Sequence, residues 1–151
     1  MTSTPPSYPP ILDLVPHRPP MLLLDRVLSY DGQCVTCETV LGPDSPFVDG
    51  GCVPGVVGIE YMAQAIAAGA GLSARDKGQG GAARMGFLLG YRNLTIAVDS
   101  FQVGDRLIVE ARRSWGENNV GSFACKVRRG GEVLVEGALT VYQGPLPEDA
   151  P

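Results

Sequence analysis

Apolar and polar positions change period twice along this chain. From Met21 to Tyr30 the residues read as a strand, closed by the turn pair Asp31-Gly32, and Gln33 to Leu41 reads as its hairpin partner. Gly42-Pro43-Asp44-Ser45-Pro46 breaks the pattern, and Phe47 to Pro54 is a glycine-containing loop. The period then becomes helical. Ile59, Met62, Ala63, Ile66 and Ala70 fall at helical spacing, which predicts one long helix over Val56 to Arg75. Its other side, with Val57, Ala65, Ala68 and Leu72, is also apolar or small, and a helix apolar all round is a buried one. Its many Ala and Gly residues let other backbone come close. Asp76 to Ala83 is a Gly/Lys/Gln loop, expected to be mobile.

Beyond Arg84 the period returns to two. Strands are predicted over Met85 to Arg92, Arg106 to Trp115, Val120 to Arg128 and Glu132 to Tyr142. Phe123, Cys125 and Val127 alternate with Ala124, Lys126 and Arg128, the pattern of a half-buried strand. Val103-Gly104-Asp105, Gly116 to Asn119 and Gly130-Gly131 supply the turns. The order is two strands, one buried helix, then a run of antiparallel strands. It predicts an α+β domain over 11–143, a curved antiparallel sheet wrapped around one long central helix. Residues 1–10 and 144–151 are expected to be tails, because neither can bury enough apolar surface to offset its ordering entropy.

Composition narrows the function classes. The chain has 151 residues and a net charge of -4, which argues against nucleic acid, a partner that selects a basic face. No stretch of about 18 apolar residues predicts a membrane span. Met1 to Pro10 lacks the cation and the apolar run of a signal peptide. A cytoplasmic, reducing location is expected, with Cys34, Cys37, Cys52 and Cys125 as free thiols. Ten of the twelve cations are Arg, which suits fixed carboxylate or phosphate contacts; codon bias is the plainer explanation.

Four features could carry chemistry. Glu60 sits between Ile59 and Tyr61, one turn into the predicted buried helix, where a carboxylate is costly unless paired or protonated. Desolvation there favours the neutral form, as a general acid needs. The alternative is a helix-start Glu satisfied by the dipole and facing water. His17 is the only histidine, so any imidazole chemistry within this chain falls to it; a lone His is more often structural. Cys34-Val-Thr-Cys37 has the spacing of a metal or redox pair. In a strand, however, positions i and i+3 face opposite sides, and no second pair accompanies it, so no metal site is expected. Cys52 precedes a helix N-terminus that can lower a thiol pKa, a weaker candidate nucleophile.

Two segments together resemble a known family. Leu14-Val15-Pro16-His17-Arg18-Pro19-Pro20-Met21-Leu22-Leu23-Leu24-Asp25-Arg26-Val27 is similar to the N-terminal signature of FabA/FabZ-type 3-hydroxyacyl-acyl-carrier-protein dehydratases. Pro54-Gly55-Val56-Val57-Gly58-Ile59-Glu60-Tyr61-Met62-Ala63-Gln64-Ala65 resembles their central-helix signature, and Met85-Gly86-Phe87-Leu88-Leu89-Gly90 their following strand. The His-Arg-Pro-Pro-Met run and the Ile-Glu-Tyr-Met-Ala-Gln helix resemble most the ApeP-like branch associated with aryl-polyene synthesis. That branch works beside a conventional dehydratase.

The resemblance implies a hotdog fold, a homodimer or a heteromer with a second hotdog dehydratase, and a site at the interface. There a His of one subunit and a helix carboxylate of the other remove water from a 3-hydroxyacyl thioester. The acyl chain arrives on the phosphopantetheine arm of an acyl carrier protein, with no other cofactor. Glu60 falls on the family's acidic position. The family's His position, after Pro46-Phe47-Val48-Asp49-Gly50, is Gly51, and the loop to Pro54-Gly55 is shorter. The expected catalytic residues are therefore Glu60 and His17. Phe47, Gly50, Gly51 and Pro54 are expected to bind substrate from the loop. Gly55, Gln64 and Phe87 are expected to do so from the helix entry, the helix and the following strand. Three functions fit: a dehydratase with altered machinery, a non-catalytic subunit lending Glu60 to a His-bearing partner, and a thioesterase using a helix carboxylate alone.

Overall fold

A computed structural model describes residues 7–78 and 85–144, apart from the Met85 side chain. Eight strands and one long helix follow in the order β1 (Arg26–Tyr30), β2 (Cys34–Val40), β3 (Cys52–Pro54), α1 (Gly58–Asp76), β4 (Met85–Ile96), β5 (Ser100–Gln102), β6 (Arg106–Glu117), β7 (Val120–Arg129) and β8 (Glu132–Gly144). Six of them form one antiparallel sheet in the order β1-β2-β6-β7-β8-β4, and β3 pairs with β5 in a separate ribbon. The predicted α+β plan, a curved antiparallel sheet around one helix, is the one observed: this is the hotdog fold. Helix α1 lies against β2, β6, β7 and β8. Met62, Ala65 and Ala68 of the helix share one core with Val35, Leu107, Val109, Val127 and Leu139 of the sheet.

Several expectations needed correction. The first strand was predicted from Met21, but β1 begins at Arg26. The preceding residues find other partners: Leu23 N donates to Gln64 on α1, Thr39 Oγ1 donates to the Leu23 carbonyl, and Asp25 N donates to the Glu38 carbonyl. Strand β3 was read as part of a loop and its partner β5 was not assigned, since three-residue strands are too short to show a period. Strand β4 runs to Ile96, four residues beyond its predicted end at Arg92. The helix begins with a 3-10 turn at Gly55–Val57 rather than directly at Val56.

Helix α1 is not buried all round. Ile59, Ala63, Ala67 and Ala70 are half-buried and Val56 is 59% exposed, so one apolar stripe stays open. A six-stranded sheet can wrap one side of a helix but not enclose it. The stretch Gly55–Asp76 is also long and apolar enough, by length and composition alone, to cross a membrane, contrary to the sequence reading. Half of it is buried within the protein, which marks a core helix.

The arginine excess has a structural use. Arg26 Nε donates to Glu38 Oε1 at 2.9 Å, and Arg106 donates to Glu38 Oε2. Burial raises the Glu38 carboxyl, but these hydrogen bonds and charges outweigh it and hold its pKa below the ordinary value. Arg128 binds Glu110, and Arg129 bridges Asp105 and Glu132. The outer face of the sheet is thus laced by ion pairs.

The four cysteines are free thiols. Burial pushes Cys37 and Cys125 up to about 12, so both are inert at neutral pH. The expected tails, and the loop after the helix from 79, lie largely outside the described residues. Of the N-terminal stretch, Tyr8 packs on the core and its hydroxyl accepts a hydrogen bond from Tyr30 N at 3.1 Å.

Candidate active site

The site is built where the N-terminal segment crosses the start of α1. Ile11–Asp13 forms a single 3-10 turn, and Arg18 folds back over it, its Nη1 donating to the carbonyls of Leu12, Val15 and His17. The segment then runs hard against the helix. A Cβ at Gly71 would stand 2.3 Å from the Leu14 carbonyl oxygen, so only glycine admits this approach. Glycine costs roughly 1 kcal/mol in a helix, and here the close contact explains it.

This crossing places His17 beside the helix. His17 Nε2 lies 3.5 Å from Glu60 Oε1, with the two side chains 28% and 38% exposed. Glu60 is in the first turn of α1, where the dipole favours a negative group. Its environment is therefore paired and partly open, nearer to the helix-start carboxylate facing water than to apolar burial, the two alternatives that the sequence left open. His17 Nδ1 is buried with no hydrogen-bond partner among the described residues. One turn on, Gln64 is fully buried and bonds to both partners of the crossing: Nε2 donates to Glu60 Oε1 at 3.0 Å and to the Met21 carbonyl at 2.7 Å.

The other named residues lie elsewhere. Phe47 has φ 69° and is 48% exposed. Gly50 and Gly51 follow at φ 62° and 78°, and the turn closes with Asp49 paired to Cys52. The Gly51 carbonyl accepts from Val103 N, and Cys52 donates to Gln102 Oε1 at 3.3 Å. Pro54 is exposed at the end of β3. Among the described residues no hydrogen bond or ion pair joins this loop to His17, Glu60 or Gln64. Gly55 is buried, and a Cβ there would stand 2.3 Å from the Val98 carbonyl oxygen. Gln64 has no exposed surface in this chain. Phe87 stands on β4, at the opposite edge of the sheet from β1, 44% exposed, with its ring tilted 37° against that of Tyr142 and the centroids 6.3 Å apart.

Arg18 and Gly71 shape the site and were not singled out in the sequence. Arg18 was visible in the His-Arg-Pro-Pro run, and Gly71 as a glycine inside a helix, but neither pattern says what the residue touches. Among the described residues no group of three or more His, Cys, Asp or Glu could hold a metal ion.

One imidazole, one carboxylate and one amide held together suit proton transfer, and a turn at Gly51 has no side chain to add. Three comparisons with known proteins place the chain in a family. A family model described as ApeP dehydratase matches residues 9–150. The 3-hydroxyacyl-[acyl-carrier-protein] dehydratase FabZ of Agrobacterium fabrum is 31% identical over 145 residues, 89% of this chain and 89% of that one. A chain of the dehydratase heterocomplex ApeI:P from Xenorhabdus doucetiae is 33% identical, with a TM-score of 0.87 over 93% of this chain and 94% of that one. The uncharacterized protein PH1136 from Pyrococcus horikoshii, 16% identical with a TM-score of 0.63 over 89% of this chain and 94% of that one, shares the fold alone. With the carboxylate on the central helix, the hotdog architecture and a match across almost its whole length, this chain belongs to the ApeP-like dehydratase family.

Proposed function

We propose that this protein removes water from a 3-hydroxyacyl thioester, carried on the phosphopantetheine arm of an acyl carrier protein, as one half of a complex with a His-bearing hotdog partner. The observation that carries this reading is the contrast between a fixed carboxylate at Glu60 and a glycine turn at Gly51. The chain supplies one of the two groups that the elimination needs. A partner imidazole takes the C2 proton, the C2–C3 double bond forms, and the 3-hydroxyl leaves as water with a proton from Glu60. The imidazolium returns that proton over the cycle. His17 and Gln64 both stand on Glu60 Oε1, which leaves Oε2 as the oxygen available to a substrate.

Two surfaces support a partner. Strand β4 is the terminal strand of the sheet and exposes Phe87, Leu88, Leu89 and Tyr91 at 44–58%. A long apolar edge of this kind invites pairing with another chain. The open stripe of Val56, Ile59, Ala63 and Ala67 on α1 offers a second apolar contact. The heterocomplex among the similar solved structures fits a hotdog partner as well. Phe47, Gly50, Gly51, Pro54, Gly55, Gln64 and Phe87 remain candidate substrate contacts once that partner is in place. The reading needs no metal and places the protein in the cytoplasm.

The test is enoyl formation from a 3-hydroxyacyl thioester by the purified chain, alone and with a His-bearing hotdog protein of the same genome. Activity is expected mainly in the mixture, since removing a general base loses ~10²–10⁴-fold in rate. Robust turnover by the chain alone that survives His17→Ala would refute partner dependence. Robust turnover alone that His17→Ala abolishes would make His17 the base.

A further inference from the structure

Strand β6 carries a cation on the face that builds the core. Leu107, Val109 and Ala111 alternate inward and join the core cluster. The next inward position is Arg113, because the pairing with β7 holds its register that far and shifts only between Arg113 and Trp115. Arg26, Arg106, Arg128 and Arg129 are held by carboxylates and Arg18 by carbonyls. The Arg113 guanidinium has no hydrogen bond or ion pair among the described residues. Two glycines make room for it. Gly116 of β6 and Gly121 of β7 are cross-strand partners, as are Arg113 and Phe123. A Cβ at Gly116 would stand 2.0 Å from Arg113 Nη2, and one at Gly121 would stand 3.0 Å from Phe123 Cε2. The guanidinium and the ring therefore lie down along the hairpin, over positions without side chains.

Both border a cavity of about 340 Å³ between the β6–β7 hairpin, the β1–β2 turn and the C-terminal half of α1. Val35, Ile66 and Phe123 give it an apolar wall, and Arg113, Lys77 and Glu117 are its charged lining among the described residues. It shares no residue with the His17–Glu60–Gln64 cluster or with the Phe47–Pro54 loop.

We propose that this cavity is a second binding site, for the carboxylate of a small apolar acid: Arg113 receives the carboxylate, and the hydrocarbon lies against Phe123, Ile66 and Val35. It does not depend on the dehydration chemistry. A planar guanidinium matches a carboxylate with two parallel hydrogen bonds. Two cations against one carboxyl, Glu117, favour a single negative charge, and Glu117 stands against a dianion such as phosphate. The volume holds about ten non-hydrogen atoms at ~30 Å³ each, more than a bare inorganic ion needs. An arginine serving solubility alone needs no facing glycines beneath it. Glycine inside a strand marks a close approach, and a bulge re-aims a side chain; both occur here around one guanidinium.

The test is an amide NMR titration of the full chain with octanoate, octanol and inorganic phosphate. Octanoate is expected to shift the amides of the β6–β7 hairpin and of the last two turns of α1 together, saturating with a Kd of ~1 mM or tighter, as about ten atoms of ordinary ligand efficiency reach. Octanol has the same chain without the charge and is expected to bind ~10-fold or more weakly. Arg113→Gln should bring octanoate down to the level of octanol and leave octanol unchanged. Gly116→Ala keeps the arginine but displaces its guanidinium, and should weaken octanoate without changing octanol. Both positions are exposed on the hairpin, so thermal melts of the two variants should match the parent chain. Octanoate that gives no saturable shift, or shifts only residues around Glu60, overturns the proposal. So does phosphate binding as tightly as octanoate, because the apolar wall then has no part. An Arg113→Gln chain that binds octanoate as the parent does, or loses octanoate and octanol equally, overturns it as well, because the guanidinium then does not receive the carboxylate.

Discussion

The His17–Glu60–Gln64 cluster and the Phe47–Pro54 loop are built by opposite means. The cluster joins a segment at residue 17 to a helix at residues 60–64 through buried, long-range bonds, with Gln64 at its centre. The loop is local. Its turn closes on itself between Asp49 and Cys52, leans on β5, and projects two left-handed glycines with nothing within 4 Å of where their Cβ atoms would stand. The first region has side chains held in one arrangement. The second has backbone geometry and open space. On the proposed reading, the first region supplies one of the two proton-handling groups of the elimination, and the empty turn is the place that a second chain completes.

The sharpest way to break this comparison is at the carboxylate. Glu60→Gln keeps the shape and the acceptor for Gln64 but removes the ionisable group. Dehydration by the complex is expected to fall ~10²–10⁴-fold, with the thermal melt displaced by less than about 1 kcal/mol in stability. Full activity in enoyl-formation assays would move the chemistry away from the cluster.

A smaller effect is expected from Gly71→Ala, which touches neither functional side chain. The added methyl would meet the Leu14 carbonyl oxygen at 2.3 Å and must push the N-terminal segment off the helix. A loss of roughly 1–3 kcal/mol by denaturant unfolding should accompany a drop in kcat approaching 10²-fold, because His17 moves with the segment. Normal kcat would show that the segment is not part of the working site.

The smallest effect is expected at the loop. Gly51→His meets no steric obstacle, but φ there is 78°, which costs about 1 kcal/mol for a residue with a side chain. Enoyl formation by the chain without its partner should rise by no more than about 10-fold, since nothing orients the new imidazole and a loosely placed base recovers little rate. A larger gain would make the loop the near-complete half of the site and reverse the comparison.

Much of the fold was legible in the residues. The helical spacing through Ile59, Met62 and Ile66 and the alternation at Phe123, Cys125 and Val127 named the helix and the long strands, because both elements bury one face over many residues. The short ribbon strands were not legible, since three residues carry no period. The start of β1 was misread because Met21–Asp25 are as apolar as a strand, yet their backbone bonds go to Gln64, Thr39 and Glu38. Glu60 was legible as a carboxylate on an apolar helix, but its surroundings were not. The sequence left open apolar burial or a helix-start carboxylate facing water; a partly open carboxylate in contact with His17 and Gln64 was found.

The sequence by itself determined the element order, the single long helix, the carboxylate of Glu60 near its start, the absence of imidazole at Gly51 and the family signatures. Those depend on residue identity and local spacing. Tertiary structure alone decided that His17 stands 3.5 Å from Glu60, that Gln64 is buried with bonds to Met21, Leu23 and Glu60, and that β4 and one stripe of α1 remain open. These are properties of distance through space. They arise because a glycine at 71 lets one segment cross another, and because one chain's sheet covers only one side of its helix.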